Sequence, residues 1–178
     1  MLTLNTTYID QFLSTKNQEL ETKNKLLTAH ASLQNKTCKG ADYLGWIDLP
    51  EDMTDAKILE IQEYSETLRE KSDVLIVCGI GGSYLGARAV IEAIPPTLYQ
   101  GGNTTPEVVF LGNHLSGREY EKVFTKYQNK RVSACIISKS GTTMETAISY
   151  RLVRYFLLSK YSAEEVRERI VTITDEKK

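Results

Sequence analysis

The chain has 178 residues, 41% of them hydrophobic and 25% charged, with 22 Lys plus Arg against 23 Asp plus Glu. That length suits one domain with a real core, and the near-zero charge balance gives no global field to attract nucleic acid or an anionic membrane surface. No apolar run approaches the roughly 20 residues that a membrane helix needs, and Met1–Asn5 lacks the basic and apolar regions of a signal peptide.

Residues 1–36 place Ile9, Phe12, Leu13, Leu20, Leu26, Leu27 and Leu33 near a 3.6-residue period, which predicts helix. Asn35 to Asp52, with Gly40, Gly45, Trp46 and Pro50, reads as an ordered loop. Thr54 is a candidate N-cap for a helix expected to bury Ile58, Ile61 and Leu68.

From Val74 the pattern changes. Val74–Cys78 is the first strand candidate, followed by a glycine turn and a helix ending at Pro95-Pro96. Val108–Leu111 is the second strand, and Ser116 with Glu119 forms a capping box for the next helix. Val132–Ile137 is the third strand, with Thr142 and Glu145 expected to cap a helix reaching about Lys160. Ser162 and Glu165 cap a short helix before a fourth strand, Ile170–Thr174. Near-continuous apolar strands alternating with helices predict an α/β fold whose parallel sheet is covered on both faces. Cys38, Cys78 and Cys135 are odd in number and far apart, and two lie in strand-like runs. They read as buried thiols of a reduced, cytoplasmic protein. The chain stops directly after a strand, which predicts a piece of something longer.

Two turns carry the chemistry. Ser138-Lys139-Ser140-Gly141-Thr142-Thr143-Met144-Glu145-Thr146 packs hydroxyls, a lysine and a glycine between a strand and a helix. Such a turn aims backbone N–H groups, short hydroxyls and the positive end of a helix at one small volume, which suits a phosphate monoester. The second is Gly79-Ile80-Gly81-Gly82-Ser83-Tyr84-Leu85-Gly86. It fails the dinucleotide fingerprint, because position 84 is Tyr and no acidic residue follows the second strand. It fails the P-loop pattern, because Ala87-Arg88 follows Gly86. Ser83 can either cap the following helix or donate to a ligand, and Glu145 reads as a capping residue. If the first and third strands are neighbours, both turns open on one crevice beyond the strands' carboxyl ends.

The motif S-K-S-G-T-T-x-E-T, with Gly79–Arg88 and the upstream Gly40–Pro50 segment, resembles the sugar-isomerase (SIS) domain and, within it, the bacterial glucose-6-phosphate isomerase family. The likeness runs from about Thr28 to Lys178. It implies a three-layer, doubly wound, flavodoxin-like α/β sandwich with a five-stranded parallel sheet at 71–178, preceded by a helical segment and ordered loop at 1–70. It implies that Ser138, Ser140 and Thr143 bind a hexose phosphate, that Gly82 and Ser83 line the sugar side, and that Thr142 and the Lys139 backbone contribute less. The family's acid/base residues are implied to lie beyond Lys178, so the piece is expected to be inactive alone. No cofactor, metal, nucleic acid or membrane is expected, and the full enzyme is implied to be a homodimer. His30 and His114 match no family motif and read as structural. The alternatives are a regulatory phosphosugar-binding module without chemistry, which the acidic N-terminal helices disfavour, and another sugar-phosphate isomerase or amidotransferase half.

Overall fold

Four runs of aliphatic residues build the sheet: β1 (Val74–Cys78), β2 (Glu107–Leu111), β3 (Val132–Ile137) and β4 (Ile170–Ile173). They are all parallel and lie in the order β2-β1-β3-β4. The computed structural model describes residues 16–94 and 106–175, with positions 5, 7, 8 and 12 besides. The chain divides into two compact units, Met1–Ile58 and Leu59–Lys178.

In the first unit, α1 (Lys16–Gln34) precedes a short 3-10 turn (Ala41–Tyr43) and α2 (Gly45–Asp52). Of the helix expected over 1–36, only Lys16–Gln34 forms among the described residues, since the described positions 5, 7, 8 and 12 are not helical, and Leu20, Leu26, Leu27 and Leu33 are all exposed. Phe12 is exposed as well, whereas Ile9 and Leu13 lie outside the described residues. The loop expected over 35–52 is corrected in its second half, because α2 runs through Pro50. Proline removes one hydrogen bond in this short helix, which ends two residues later. An ion pair between Lys36 and Asp48 ties α2 back to the end of α1. Helix α3 (Asp55–Lys71) spans the boundary between the units. Thr54 caps it, its hydroxyl accepting from the Lys57 amide at 3.4 Å. Ile58 and Ile61 are exposed and Leu68 is half-buried, so the burial expected of this helix is not found.

The second unit holds the sheet. Helix α4 (Leu85–Ala93) connects β1 to β2, α5 (Gly117–Lys126) connects β2 to β3, and α6 (Met144–Leu158) with α7 (Ala163–Arg169) connects β3 to β4. The first crossover moves one way along the sheet and the later two move the other. Right-handed crossovers therefore put α4 on one face and α5, α6 and α7 on the opposite one, giving the doubly wound, three-layer arrangement. Four strands are present among the described residues, where the resemblance implies five. The helix before Pro95-Pro96 ends at Ala93, and both prolines fall outside the described residues.

Side-chain alternation agrees with these layers. Val74, Ile76 and Cys78 of β1 and Val132, Ala134 and Ile136 of β3 face α5, α6 and α7. There they join Tyr120, Tyr127, Val153, Phe156, Leu157 and Val166 in one core. Phe124 and Phe156 stack within it at 4.5 Å between centroids. The other face is thinner. Phe110 meets Tyr84 at 5.7 Å and lies under the Arg88 guanidinium at 5.9 Å, while the buried Ser72 and Ser133 hydroxyls pair at 2.5 Å.

The amino ends of the strands are held by charge. Arg131, before β3, donates to both carboxylate oxygens of Asp73, before β1, and to the Glu70 carbonyl. Lys160 Nζ donates to the carbonyls of Tyr127, Gln128 and Lys130 at 3.1, 2.7 and 2.5 Å, satisfying the end of α5. Arg169 donates to Glu165 and to the Lys71 carbonyl while lying 4.1 Å from the centroid of the Tyr161 ring.

Two expectations about stability follow from this frame. Leu157→Ala removes a fully buried side chain and should cost about 2–5 kcal/mol by denaturant titration, whereas Tyr155→Ala, at a 78% exposed position on the same helix, should change stability by less than about 0.5 kcal/mol. The hydrogen bonds from Arg131 hold the Asp73 carboxyl below its usual value. Its contribution is therefore present above the unfolded value of about 4 and lost as pH falls from there through the depressed folded value. Asp73→Asn should flatten the acid limb of the stability profile in that window and leave its shape near neutral pH unchanged.

Candidate functional site

The expected adjacency of the first and third strands is present. Strand β1 pairs with β2 on one side and β3 on the other, with Cys78 opposite Ile136. The order of connections thus reverses between β1 and β3, the position at which open α/β sheets leave a crevice beyond their carboxyl ends. The turn after β1 and the turn after β3 both start there.

Close contacts join the two turns. A Cβ added at Gly79 would lie 3.4 Å from Ser83 Cβ and 3.5 Å from the Ile137 carbonyl, the residue that precedes Ser138. The Gly79 amide also donates to the Leu111 carbonyl at 3.2 Å, bringing in the end of β2. Gly81 to Ser83 form a single 3-10 turn, closed by the Ser83 amide donating to Ile80 and the Tyr84 amide to Gly81, both at 3.2 Å. Helix α4 then begins at Leu85 with Tyr84 as its N-cap, so the capping option for Ser83 is excluded. Gly82 is exposed and Ser83 half-buried.

In the second turn, Ser138 is buried, and its amide donates to the Ile173 carbonyl at 3.0 Å. Its hydroxyl points toward Thr143 Oγ1 at 3.4 Å. Ser140 Oγ accepts from both the amide and the hydroxyl of Thr142, at 3.2 and 2.9 Å. Those two bonds leave Ser140's own proton to donate elsewhere and commit the proton of Thr142. Gly141, at φ 66°, takes the left-handed conformation that closes the turn. The Lys139 carbonyl accepts from the Asp175 amide at 3.3 Å, and the lysine side chain is exposed. Thr143, not Thr142, is the N-cap of α6, and no side chain caps the helix. The cap expected from Thr142 and Glu145 is therefore corrected, because the Thr142 hydroxyl is held by Ser140. The first-turn amides of α6, which no intrahelical carbonyl can accept, keep the partial positive charge that attracts an anion.

The capping box expected at Ser116 and Glu119 is likewise absent from α5. The Ser116 amide donates to His114 Nδ1 at 3.3 Å, and Glu119 pairs with Lys122. Ser162 does cap α7, accepting from the Glu165 amide at 3.2 Å.

One residue that the sequence pattern does not single out is Thr146. It is one helical turn beyond Thr143, is 2% exposed, and its hydroxyl has no hydrogen-bond partner among the described residues. It faces a cavity of about 250 Å³ between α6, β3 and β4, which Ser138, Gly141 and Thr174 also line. The i, i+3 spacing from Thr143 is the available signal. Neither Gly82 nor Ser83 reaches this cavity. Among the described residues no cluster of His, Cys, Asp and Glu is arranged to hold a metal, and no helix is long and apolar enough to cross a membrane.

Residues 58–178 match the family model for phosphoglucose isomerase. A glucose-6-phosphate isomerase of Shouchella clausii (strain KSM-K16) is 45% identical over 154 residues, covering 84% of this chain and 34% of that protein. One from Staphylococcus aureus (strain NCTC 8325 / PS 47) is 42% identical over 161 residues, covering 90% and 36%. The chain thus spans about a third of the length of the curated relatives it matches. Among solved structures, the hypothetical protein TT0462 from Thermus thermophilus aligns with all of this chain and 39% of its own, at TM-score 0.77 and 26% identity. A glucose-6-phosphate isomerase from Chlamydia trachomatis D/UW-3/Cx aligns over 68% of this chain and 23% of its own, at TM-score 0.53 and 25% identity.

The two strand cysteines, Cys78 and Cys135, are the unreactive ones, and the burial expected of Cys38 is only partial. Cys78 is buried, and Cys38 and Cys135 are half-buried; all three are free. Burial pushes the Cys78 thiol up to about 12 and the Cys135 thiol to about 11. A thiol reagent at pH 8 should therefore label Cys38 alone in the native chain and all three after denaturation. Rapid native labelling of Cys135 would contradict this.

Proposed function

The chain belongs to the phosphoglucose isomerase family, and from that premise we propose that it is the phosphosugar-binding N-terminal part of a cytoplasmic, homodimeric glucose-6-phosphate isomerase. That enzyme interconverts glucose 6-phosphate and fructose 6-phosphate. The observation that carries the reading is the adjacency of β1 and β3, from whose carboxyl ends the glycine turn and the hydroxyl turn both start.

In this reading the hydroxyls of Ser138, Ser140 and Thr143 and the first-turn amides of α6 receive the phosphate. Ser140 is well prepared, because Thr142 fills its acceptor positions and leaves its proton available. Thr142 contributes by holding Ser140, and Lys139 mainly through its backbone. The glycine turn supplies the second wall, with Gly82 giving the sugar close access to the backbone and Ser83 offering a hydroxyl. The domain at 71–178 does this work, and the segment at 1–70 precedes it.

Isomerisation requires ring opening and then proton transfer between C1 and C2 through an enediolate. It needs a carboxylate near the carbon acid, a donor at the ring oxygen and a positive group for the oxyanion. The two turns supply a different part of catalysis: a fixed phosphate holds the reacting carbons in one place. Relatives about two and a half times as long provide the rest of the polypeptide in which the proton-transfer groups would lie.

Amide-resolved NMR titration of the chain with fructose 6-phosphate tests the reading. Shifts should concentrate at Ser83, Ser138, Ser140 and Thr143, and unphosphorylated fructose should give none. Ser138→Ala should weaken binding about tenfold, the value of one hydrogen bond to a charged group. Equal shifts with fructose, or unchanged affinity in the variant, would overturn the assignment. In a coupled assay the chain by itself should show no isomerase turnover.

A further inference from the structure

Behind the crevice lies a buried polar contact that the ligand-binding reading does not use. Tyr120 of α5 is 2% exposed and Ser149 of α6 is 0% exposed, and their hydroxyl oxygens are 2.6 Å apart. Ser149 Oγ donates to the Glu145 carbonyl at 2.6 Å, so its only proton is committed and the phenol donates to it. Burial raises the Tyr120 phenol above its usual value, against the opposing hydrogen bond to Ser149, which keeps that proton in place at neutral pH. Glu145 belongs to the first turn of α6, the turn that follows the hydroxyl-rich loop.

The other side of Ser149 meets the glycine turn through Gly112. That residue ends β2 in the left-handed conformation, at φ 89°. A Cβ placed there would lie 3.0 Å from Ser149 Oγ and 3.2 Å from the Gly79 amide nitrogen. Ser149 Oγ and the Gly79 backbone thus line the same small space beside Gly112, and a side chain there would crowd both. Gly79 in turn abuts Ser83 and the Ile137 carbonyl. The series of contacts runs from the first turn of α6, past the end of β2, to the start of the glycine turn.

We propose that Tyr120 and Ser149 are positioning residues of the phosphosugar site, a buried hydroxyl pair that sets the separation between its two walls. Tyr120 fixes the Ser149 hydroxyl, Ser149 fixes the Glu145 carbonyl, and Gly112 passes that position to Gly79. The inference rests on the two turns being the walls of one ligand site. A ligand bridging both walls would sense their separation, whereas free phosphate would contact only the hydroxyl turn. The single glycine at 112 is what allows so short a path.

The test uses the whole chain with Tyr120→Phe and Ser149→Ala, and Val166→Ala as a core variant whose site lies apart from this series. In ligand-free protein, hydrogen exchange should accelerate at least about tenfold at the Gly79 and Ser138 amides in the two hydroxyl variants. It should do so much less in Val166→Ala at matched loss of thermal stability. Unchanged exchange at Gly79 in both hydroxyl variants would overturn the proposal whether or not any ligand binds. In titrations, both hydroxyl variants should lose at least about fivefold in affinity for fructose 6-phosphate while keeping their affinity for inorganic phosphate. Parallel losses for the two ligands would assign the pair to stability alone. Failure of the wild-type chain to bind fructose 6-phosphate would instead remove the ligand site itself, an outcome that the exchange measurement separates from failure of the positioning role.

Discussion

The arrangement around the crevice depends on β1 having β3, rather than only β2, as a neighbour. A parallel strand buried on both sides must satisfy every ladder group, and Val74–Cys78 does so with five residues paired to each flanking strand. Because the chain leaves β1 in one direction and returns past it in the other, two strand-to-helix turns meet at its carboxyl end. Neither turn has to travel to reach the other. Gly79 and Ile137 lie close because their strands are hydrogen-bonded neighbours, and α6 begins only a few residues beyond the same end of β3.

The two ends of the sheet divide the work. At the amino end, Asp73 with Arg131, Glu107 with Lys126 and Tyr127, and Arg169 with Glu165 hold the strand entries with charged hydrogen bonds. Exposed pairs of this kind contribute little each, but Arg131 and Arg169 also satisfy backbone carbonyls of Glu70 and Lys71 that would otherwise end α3 without partners. At the carboxyl end the residues are glycines and small hydroxyls. Several of their amides are paired within the turns, but the Ser140 proton is left uncommitted by its two bonds from Thr142, and Thr146 buries a hydroxyl with no partner among the described residues.

The strands are legible in the sequence because their signal is local and redundant. Val74–Cys78 and Val132–Ile137 are bounded by polar residues on one side and by glycine or serine on the other, and both form with the expected limits. Helix starts are less legible. Ser116 and Thr142 have capping-box spacing, yet each finds a nearer partner, His114 for the Ser116 amide and Ser140 for the Thr142 hydroxyl. A spacing rule does not register such competition between neighbours. Gly45 and Pro50 have the chemistry of loop residues, although α2 contains both. The apolar faces of α1 and α3 are visible as patterns, but periodicity says only that a face exists; Leu26, Leu27 and Ile61 are exposed all the same. Thr146 stands in the hydroxyl-rich motif, but its burial without a partner is not legible there, and the Tyr120–Ser149 pair is invisible because it depends on a contact across the fold.

The same central strand has a consequence for how the chain is made. Val74–Cys78 is the first strand to leave the ribosome, but its partners begin at Glu107 and Val132. During synthesis this apolar strand must wait for one helix and β2 before its first edge can pair, and for a second helix and β3 before its other edge can. At roughly 5–20 residues per second that interval lasts several seconds. The nascent chain is most vulnerable to mispairing in that window, and its capture by a chaperone would be centred on Val74–Cys78 rather than on the two strand-to-helix turns.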